Sequence, residues 1–209
     1  QLMERGIRLT NSSGATASPI AQTTVLYMLA LSRNVRAWFQ HQEKHEWTRH
    51  EFAELDGARL AVIGMGPIGI EIARLGVALN MNVEAIRRTP TGNEPCPTFS
   101  FDQLHSVLAR ADWVAVALPL TDNTRQIFNA ETFAIMKSGA CFINVGRGEL
   151  VDEDEVTNQQ RGLHRLGRNP ERLKEQRAEG TRDQQRPDHG LDGLANSAFG
   201  FCHLGRLLS

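Results

Sequence analysis

The sequence has few cysteines and no large excess of positive or negative charge, and both features narrow the range of possible functions. Cys96, Cys141 and Cys202 are its only cysteines, and their spacing matches no metal site. We therefore expect reduced, buried thiols in an intracellular protein. The formal net charge is only -1, so no general attraction to nucleic acid or to anionic membranes is expected.

Long apolar runs are also lacking. No stretch is both long and apolar enough to cross a bilayer, and no secretion signal opens the chain, which predicts a cytoplasmic protein without a membrane partner. The 209 residues could form one large domain or two small ones. Because the chain begins at Gln1, in what reads as a passage from helix to strand, we expect a fragment or a partial reading frame.

A glycine-rich turn lies between an apolar strand, 60–63, and a helix with apolar residues at helical intervals. Gly64, Gly66 and Gly69 have the spacing G-x-G-x-x-G, which permits a tight turn, a close approach of backbone to a pyrophosphate, and close packing of helix on strand. The anion would lie at the helix N-terminus. The alternative is a purely structural turn. The predicted dinucleotide site begins with Gly64, Met65, Gly66, Pro67, Ile68 and Gly69.

A second apolar strand is predicted at 83–86. The continuous apolar run at 113–118 is typical of a parallel strand covered on both faces, and 140–145 is the next predicted buried strand. Helices are predicted between them, one of them over 129–137, and Ser100 with Gln103 has the form of a capping box. The predicted fold class is therefore α/β, a doubly wound, Rossmann-like parallel sheet. We expect about five strands, an exposed edge where a sixth would pair, and a remnant of a second domain.

The end of the second strand carries two arginines in place of the acid that usually binds the ribose 2'-hydroxyl of NAD. A guanidinium suits a 2'-phosphate and cannot accept a hydrogen bond from a hydroxyl. Arg87, Arg88 and Thr89 are therefore predicted to bind the cofactor, with NADP favoured over NAD. The alternative is that these are ordinary surface arginines.

Two more strand ends carry candidate site residues. Leu118, Pro119 and Thr124 follow the strand at 113–118, and Val145 and Gly146 end the strand at 140–145. Ligands bind at this end of parallel sheets, so these residues are predicted to contact the cofactor.

Arg147 lies between two glycines, where packing does not explain it. Its planar fork suits a carboxylate or a carbonyl oxygen, so Arg147 is the predicted catalytic residue, against the alternative of a surface arginine.

The helix predicted over 20–39 is apolar on most sides, which predicts burial on several faces against a neighbouring domain or subunit. After it, His41, His45 and His50 invite a zinc hypothesis. Their spacing matches no known metal pattern, so a solvated connector is favoured and no metal is expected.

Taken in order, the 64–69 turn, Pro119 to Thr121 with Thr124, and the segment 144–152 resemble the D-isomer-specific 2-hydroxyacid dehydrogenases. The resemblance runs over about 7–156. It includes the segment 11–14 followed by Ile20 and Ala21, and Arg33 and Trp47.

This resemblance implies a two-domain enzyme, usually a homodimer, that transfers a hydride between NAD(P)H and a small 2-oxo acid. The counterpart of Arg147 binds the substrate carboxylate and carbonyl oxygen, and a histidine backed by a glutamate exchanges the proton. The helix at 20–39 would lie between the domains and help to form the dimer. The two strand-end arginines resemble the NADP-preferring glyoxylate and hydroxypyruvate reductases.

Departures from the family pattern occur at both ends of the chain. Gln22 stands where the family more often has glutamate, and the first lobe of the substrate domain would precede residue 1. After Val156 the resemblance stops: the catalytic glutamate and the proline-histidine pair cannot be read in 157–209, and nothing around His189 equips it to replace the histidine.

The predicted division is a remnant of the substrate domain (1–19), an interdomain and dimerisation helix with its connector (20–50), the NAD(P)-binding domain (51–156), and a divergent or frameshifted, weakly ordered tail (157–209). The predicted function is that of an NAD(P)-dependent oxidoreductase acting on 2-hydroxy acids, limited in this chain to cofactor binding. The rival is a non-catalytic nucleotide-sensing scaffold, like the corepressors of this fold. Adenosylhomocysteine hydrolase has a related domain, but the segment 146–148 favours the dehydrogenases.

Overall fold

The computed structural model describes residues 5, 8, 10–49, 52–152 and 204–206. The helices are α1 (Ala17–Ser32), α2 (Val35–Glu43), α3 (Pro67–Ala78), α4 (Leu104–Arg110) and α5 (Ala130–Ile135). The strands are β1 (Arg59–Ile63), β2 (Asn82–Ile86), β3 (Thr98–Phe99), β4 (Trp113–Val116), β5 (Cys141–Asn144) and β6 (Leu204–Arg206). Short 3-10 turns lie at Phe101–Gln103 and Gly148–Leu150.

The strands form one sheet in the order β3-β2-β1-β4-β5-β6. The first five are parallel, and Leu60 of β1 pairs with Val83 on one side and with Trp113 on the other. This confirms the predicted Rossmann-like parallel sheet. The predicted open edge beyond β5 is wrong, because β6 pairs with β5 in antiparallel orientation.

Helices cover both faces of the sheet, which explains the continuous apolar runs of its central strands. Along β1, Ala61 and Ile63 pack into the cluster that contains α4 and α5, whereas Leu60 and Val62 pack into the cluster with α1 and α3. Alternate side chains of a strand point to opposite faces, so a strand covered on both sides is apolar throughout.

The predicted helix at 20–39 is two helices, α1 and α2. Asn34 separates them with a φ of 51°, a left-handed conformation that asparagine tolerates better than most residues. The expected burial on several faces is found on one face: Ala21 and Met28 are fully buried, whereas Leu26 is 61% exposed and Leu29 is 38% exposed. Contacts with α3 account for the buried face.

The capping box is also placed differently from the prediction. The hydroxyl of Ser100 bonds to the carboxylate of Asp102 and makes no capping bond. The capping box in the structure begins α5, where Thr132 N donates to Asn129 Oδ1 (3.1 Å) and Asn129 N donates to Thr132 Oγ1 (2.7 Å). This helix ends at Ile135, two residues before the predicted end.

Some expectations fall on residues that the structure does not describe. Of the tail at 157–209, the structure describes only residues 204–206. His50 and His189 also lie outside the described residues. Within the part that is described, no helix has the length and apolar character to span a membrane.

Candidate functional site

The carboxyl-terminal ends of four neighbouring parallel strands, β2, β1, β4 and β5, lie side by side along one edge of the sheet. Backbone hydrogen bonds continue the ladder past the strand ends: Gly64 N donates to Ile86 O (2.8 Å), Ala117 N to Ile63 O (2.8 Å) and Val145 N to Val116 O (3.0 Å). The structure therefore brings together the predicted glycine turn, the strand-end arginines and the segments that begin at Leu118 and Val145. Ligands of open parallel sheets bind at this edge.

Two of the three glycines in the turn are required by backbone packing. Gly64 has a φ of +104°, and a Cβ there would lie 2.7 Å from Ala117 O. A Cβ at Gly69 would lie 1.8 Å from Gly64 O, because α3 packs directly on the end of β1. Any side chain at either position would force the backbone apart.

Gly66 is different, because apart from the adjoining backbone no atom lies within 4 Å of the position its Cβ would take. It is the N-cap residue of α3, and Pro67 occupies the first position of that helix. The first turn of α3 therefore faces open space with N–H groups that the helix itself cannot use. Such an opening fits the diphosphate of a dinucleotide, so the residues present suit the predicted cofactor.

Met65 and Ile68 attach the glycine turn to the core, and the loop at 11–14 packs beside it. Met65 is buried and Ile68 is partly buried, so both anchor the turn in the core. The loop at 11–14 reaches the same place, since a Cβ at Gly14 would lie 3.6 Å from Pro67 Cβ. The segment that the family resemblance singled out before α1 thus borders the first turn of α3.

The two strand-end arginines have different environments. Arg87 Nη1 lies 2.6 Å from Glu94 Oε1, with 4% of the Glu94 side chain exposed. Arg88 and the following Thr89 are exposed, and no acidic side chain among the described residues pairs with Arg88. The two neighbouring arginines, which the sequence alone does not distinguish, are therefore not equivalent in the structure.

Glu94 is a residue of the candidate site that the sequence motifs do not predict. Its carboxylate accepts hydrogen bonds from Thr91 N (2.9 Å) and Thr91 Oγ1 (2.8 Å) as well as from Arg87 (2.6 Å). The Thr91 backbone N–H, with the Thr91 hydroxyl and Arg87, lowers the pKa of Glu94 from 4.5 to about 2. A signal was present in the sequence: Glu94 is the only acid between Thr89 and Pro97.

The segment after β4 is held by Thr124. Its hydroxyl donates to Pro119 O (2.7 Å) and accepts from Thr121 N (2.8 Å), which closes the loop. Leu118 is buried and Pro119 is exposed. Thr124 therefore fixes the conformation of the segment after β4 by hydrogen bonds within that segment.

Asn144, at the end of β5, holds the loop that carries Arg147. It is fully buried; its Nδ2 donates to Arg147 O (2.9 Å), and its Oδ1 accepts from Gly146 N (2.9 Å). A Cβ at Gly146 would lie 2.8 Å from Leu118 O, so this loop packs closely on the segment after β4. These contacts fix the backbone on both sides of Val145.

Arg147 itself is exposed, and its guanidinium makes one long hydrogen bond, to Gly146 O at 3.4 Å. Nearby, Arg125 and Glu149 form an exposed ion pair at 2.7 Å that the sequence did not indicate. The Arg147 fork is thus available to a ligand carboxylate while the backbone beneath it is fixed.

Of the three connector histidines, the structure describes His41 and His45. His41 Nδ1 lies 2.7 Å from Thr48 Oγ1, a contact between residues of the same segment. The described residues include no group of three or more His, Cys, Asp or Glu side chains placed to hold a metal ion.

Comparison with protein families adds a decisive observation to this geometry. Residues 25–162 match the profile described as "D-isomer specific 2-hydroxyacid dehydrogenase, NAD binding domain". The chain belongs to this family. Its Rossmann-like sheet is that of the NAD-binding domain of the D-2-hydroxyacid dehydrogenases.

Two of the chain's curated relatives are named as reductases. It is 31% identical over 155 residues to hydroxypyruvate reductase of Thermotoga maritima, covering 73% of this chain and 50% of the relative. It is 34% identical over 176 residues to glyoxylate/hydroxypyruvate reductase B of Escherichia fergusonii, covering 79% of this chain and 54% of the relative. The chain therefore spans about half the length of these relatives.

Solved structures of the family have the same fold as this chain. The D-isomer specific 2-hydroxyacid dehydrogenase of Xanthobacter autotrophicus, in complex with NADPH and MES, superposes with a TM-score of 0.64 at 31% identity, covering 74% of this chain and 64% of that one. The NADPH-dependent glyoxylate/hydroxypyruvate reductase of Sinorhizobium meliloti gives a TM-score of 0.62 at 30% identity, covering 68% of this chain and 74% of that one.

Proposed function

We propose that this chain binds NADP(H) in preference to NAD(H) across the 64–69 turn. The observation that carries the proposal is the contrast among the glycines: Gly64 and Gly69 are enclosed by backbone, whereas Gly66 faces open space at the start of α3. Packing explains the first two, and a bound diphosphate explains the third.

Arg88 and Thr89 support the preference for the phosphorylated cofactor. Both are exposed at the end of β2, where a guanidinium can bind a 2'-phosphate. The names of the Xanthobacter and Sinorhizobium structures, which include NADPH, are consistent with this assignment. Leu118, Pro119, Val145 and Gly146 would border the nicotinamide half, with Thr124 fixing their loop.

For the complete enzyme we propose reduction of a small 2-oxo acid. The cofactor supplies the hydride when it is bound, and Arg147 would bind and orient the substrate carboxylate through its exposed guanidinium. Hydroxypyruvate and glyoxylate are the substrates suggested by the relatives' names. The catalytic glutamate and proline-histidine pair cannot be read after Val156, so we expect the 209-residue chain to bind cofactor with little or no turnover.

Titration of the purified chain with NADPH and NADH tests this proposal. We expect both to bind, NADPH more tightly, with no steady consumption of NADPH when glyoxylate or hydroxypyruvate is added. Failure of both nucleotides to bind would refute the cofactor site. Tighter binding of NADH would refute the preference, and sustained 2-oxo acid reduction would refute the expected lack of turnover.

We also propose that the exposed apolar face of α1 and α2 contributes to a homodimer. Leu26, Leu29, Trp38 and Phe39 are exposed on these helices, and exposed apolar patches mark protein–protein interfaces. Sedimentation of the chain and of its Leu26→Glu variant tests this, and an unchanged mass for the variant would contradict it. The cytoplasmic location stays a prediction.

A further inference from the structure

The loop after β2 places a negative charge next to one of the two strand-end arginines. Glu94 Oε1 lies 2.6 Å from Arg87 Nη1, and 4% of the Glu94 side chain is exposed. Gly92, with a φ of +80°, turns the loop so that Glu94 returns to the strand end. The pair is thus built by the fold of the segment 87–94.

The Glu94 carboxylate is held in place by its own loop as well as by Arg87. Thr91 N and Thr91 Oγ1 both donate to Glu94 Oε1, at 2.9 and 2.8 Å. Three donors on one oxygen fix the carboxylate and favour its ionised form. Arg87 therefore faces a permanent negative charge at neutral pH.

The ion pair between Arg87 and Glu94 lowers the net positive charge available to bind a 2'-phosphate at the end of β2. Arg87 and Glu94 together carry no net charge, so Arg88 alone contributes an uncompensated positive charge there. The Glu94 carboxylate also repels a phosphate brought close to Arg87. An acid in this position weakens the interaction with NADP(H) and leaves the interaction with NAD(H) nearly unchanged, because only the former carries the 2'-phosphate.

We propose that Glu94 is a specificity-determining residue: by pairing with Arg87, it leaves recognition of the 2'-phosphate to Arg88 and limits the preference for NADP(H) over NAD(H). This inference rests on the proposed cofactor site and goes beyond it, because it assigns opposite effects to two neighbouring charged residues. Removing Arg88 lowers the preference, and removing the charge of Glu94 raises it.

Calorimetric titration of the full chain with NADP⁺ and NAD⁺ tests the inference. In Glu94→Gln, we expect NADP⁺ to bind about three- to tenfold more tightly and NAD⁺ to change by less than about twofold, since one unit charge near the phosphate has been removed. In Arg88→Ala, we expect NADP⁺ binding to weaken by about 10- to 100-fold, the loss of a charge-assisted phosphate contact. Combining both changes should recover at least about threefold of that loss, because Arg87 becomes available.

Two further variants distinguish the effect of the Glu94 charge from a general effect of the substitution on the fold. Glu94→Asp keeps the charge and should keep the wild-type ratio of affinities. Glu84→Gln makes the same substitution within β2, where Glu84 pairs with Arg110 at 2.6 Å, and it should leave the ratio unchanged. Thermal unfolding of each variant checks that it is folded.

Two results would overturn the inference. Equal weakening of NADP⁺ and NAD⁺ binding in Glu94→Gln would mean that Glu94 only supports the loop, and unchanged affinities for both nucleotides would mean that its charge does not affect binding of the 2'-phosphate. If the wild-type chain binds neither nucleotide, the proposed cofactor site itself fails. That outcome is distinct from binding without a change in the ratio.

Discussion

The α-carbon of Gly69 lies so close to the carbonyl of Gly64 that a methyl group on it would come within 1.8 Å of that oxygen. The obstructing atom belongs to the backbone of the turn, so it cannot rotate away. We predict that Gly69→Ala lowers the free energy of unfolding by about 2 kcal/mol or more, because α3 must separate from β1. Urea unfolding measures this, and a variant as stable as the wild type would show that the turn adapts.

Gly66→Ala should behave in the opposite way. Apart from the adjoining backbone, no atom lies within 4 Å of the added methyl, and the φ of −78° suits alanine, so we expect stability within about 1 kcal/mol of the wild type, the cost of alanine at an N-cap. The methyl would instead occupy space that we assign to the diphosphate. We predict NADPH binding weakened by about tenfold or more, equivalent to about 1.4 kcal/mol. Undiminished binding in a folded variant would place the diphosphate elsewhere.

The sheet and the turn could be predicted from the sequence because their determinants are local. The central strands are largely apolar, and the three glycines are recognised by their spacing together with their place between an apolar strand and a helix. The break at Asn34 was missed because α1 and α2 are both apolar enough to read as one helix, while a single left-handed residue separates them.

The parts of the site that could not be predicted depend on contacts made by the tertiary fold. The pairing of Arg87 with Glu94 requires the loop between them to turn back, which composition does not reveal. The apparent capping box at Ser100 has the right residue types, yet the hydroxyl bonds to Asp102 instead. Asn144 belongs to the segment 144–152 that resembles the family, but its two hydrogen bonds to the Arg147 loop depend on how that loop folds back.

Asn144→Ala should destabilise the domain more than removal of an exposed asparagine. Asn144 is fully buried, and its loss leaves Gly146 N and Arg147 O without their side-chain partner. We predict a loss of about 2–4 kcal/mol in the free energy of unfolding, since each unsatisfied buried group costs about 1–3 kcal/mol.

The matched control for this variant is Asn82→Ala, which removes an exposed side-chain bond to Gly57 O (2.7 Å) and should cost less than about 1 kcal/mol. Guanidinium unfolding compares the two variants. Similar losses for both would show that the loop carrying Arg147 does not depend on Asn144.

The pKa of Glu94 predicts a specific contribution to stability at acid pH. The pKa is lowered from 4.5 to about 2, chiefly by the backbone N–H of Thr91, so the folded state binds this proton less readily than the unfolded state. The stabilisation is therefore fully present above about pH 4.5 and is lost as the pH falls toward about 2. Glu94→Gln has no such titration, so the stability difference between the wild type and this variant should shrink over that range. Urea unfolding midpoints measured across it give the comparison, with Glu71→Gln, from the exposed Arg74–Glu71 pair, as the control. A difference that stays constant with pH would mean that the Thr91 and Arg87 bonds do not favour the ionised carboxylate.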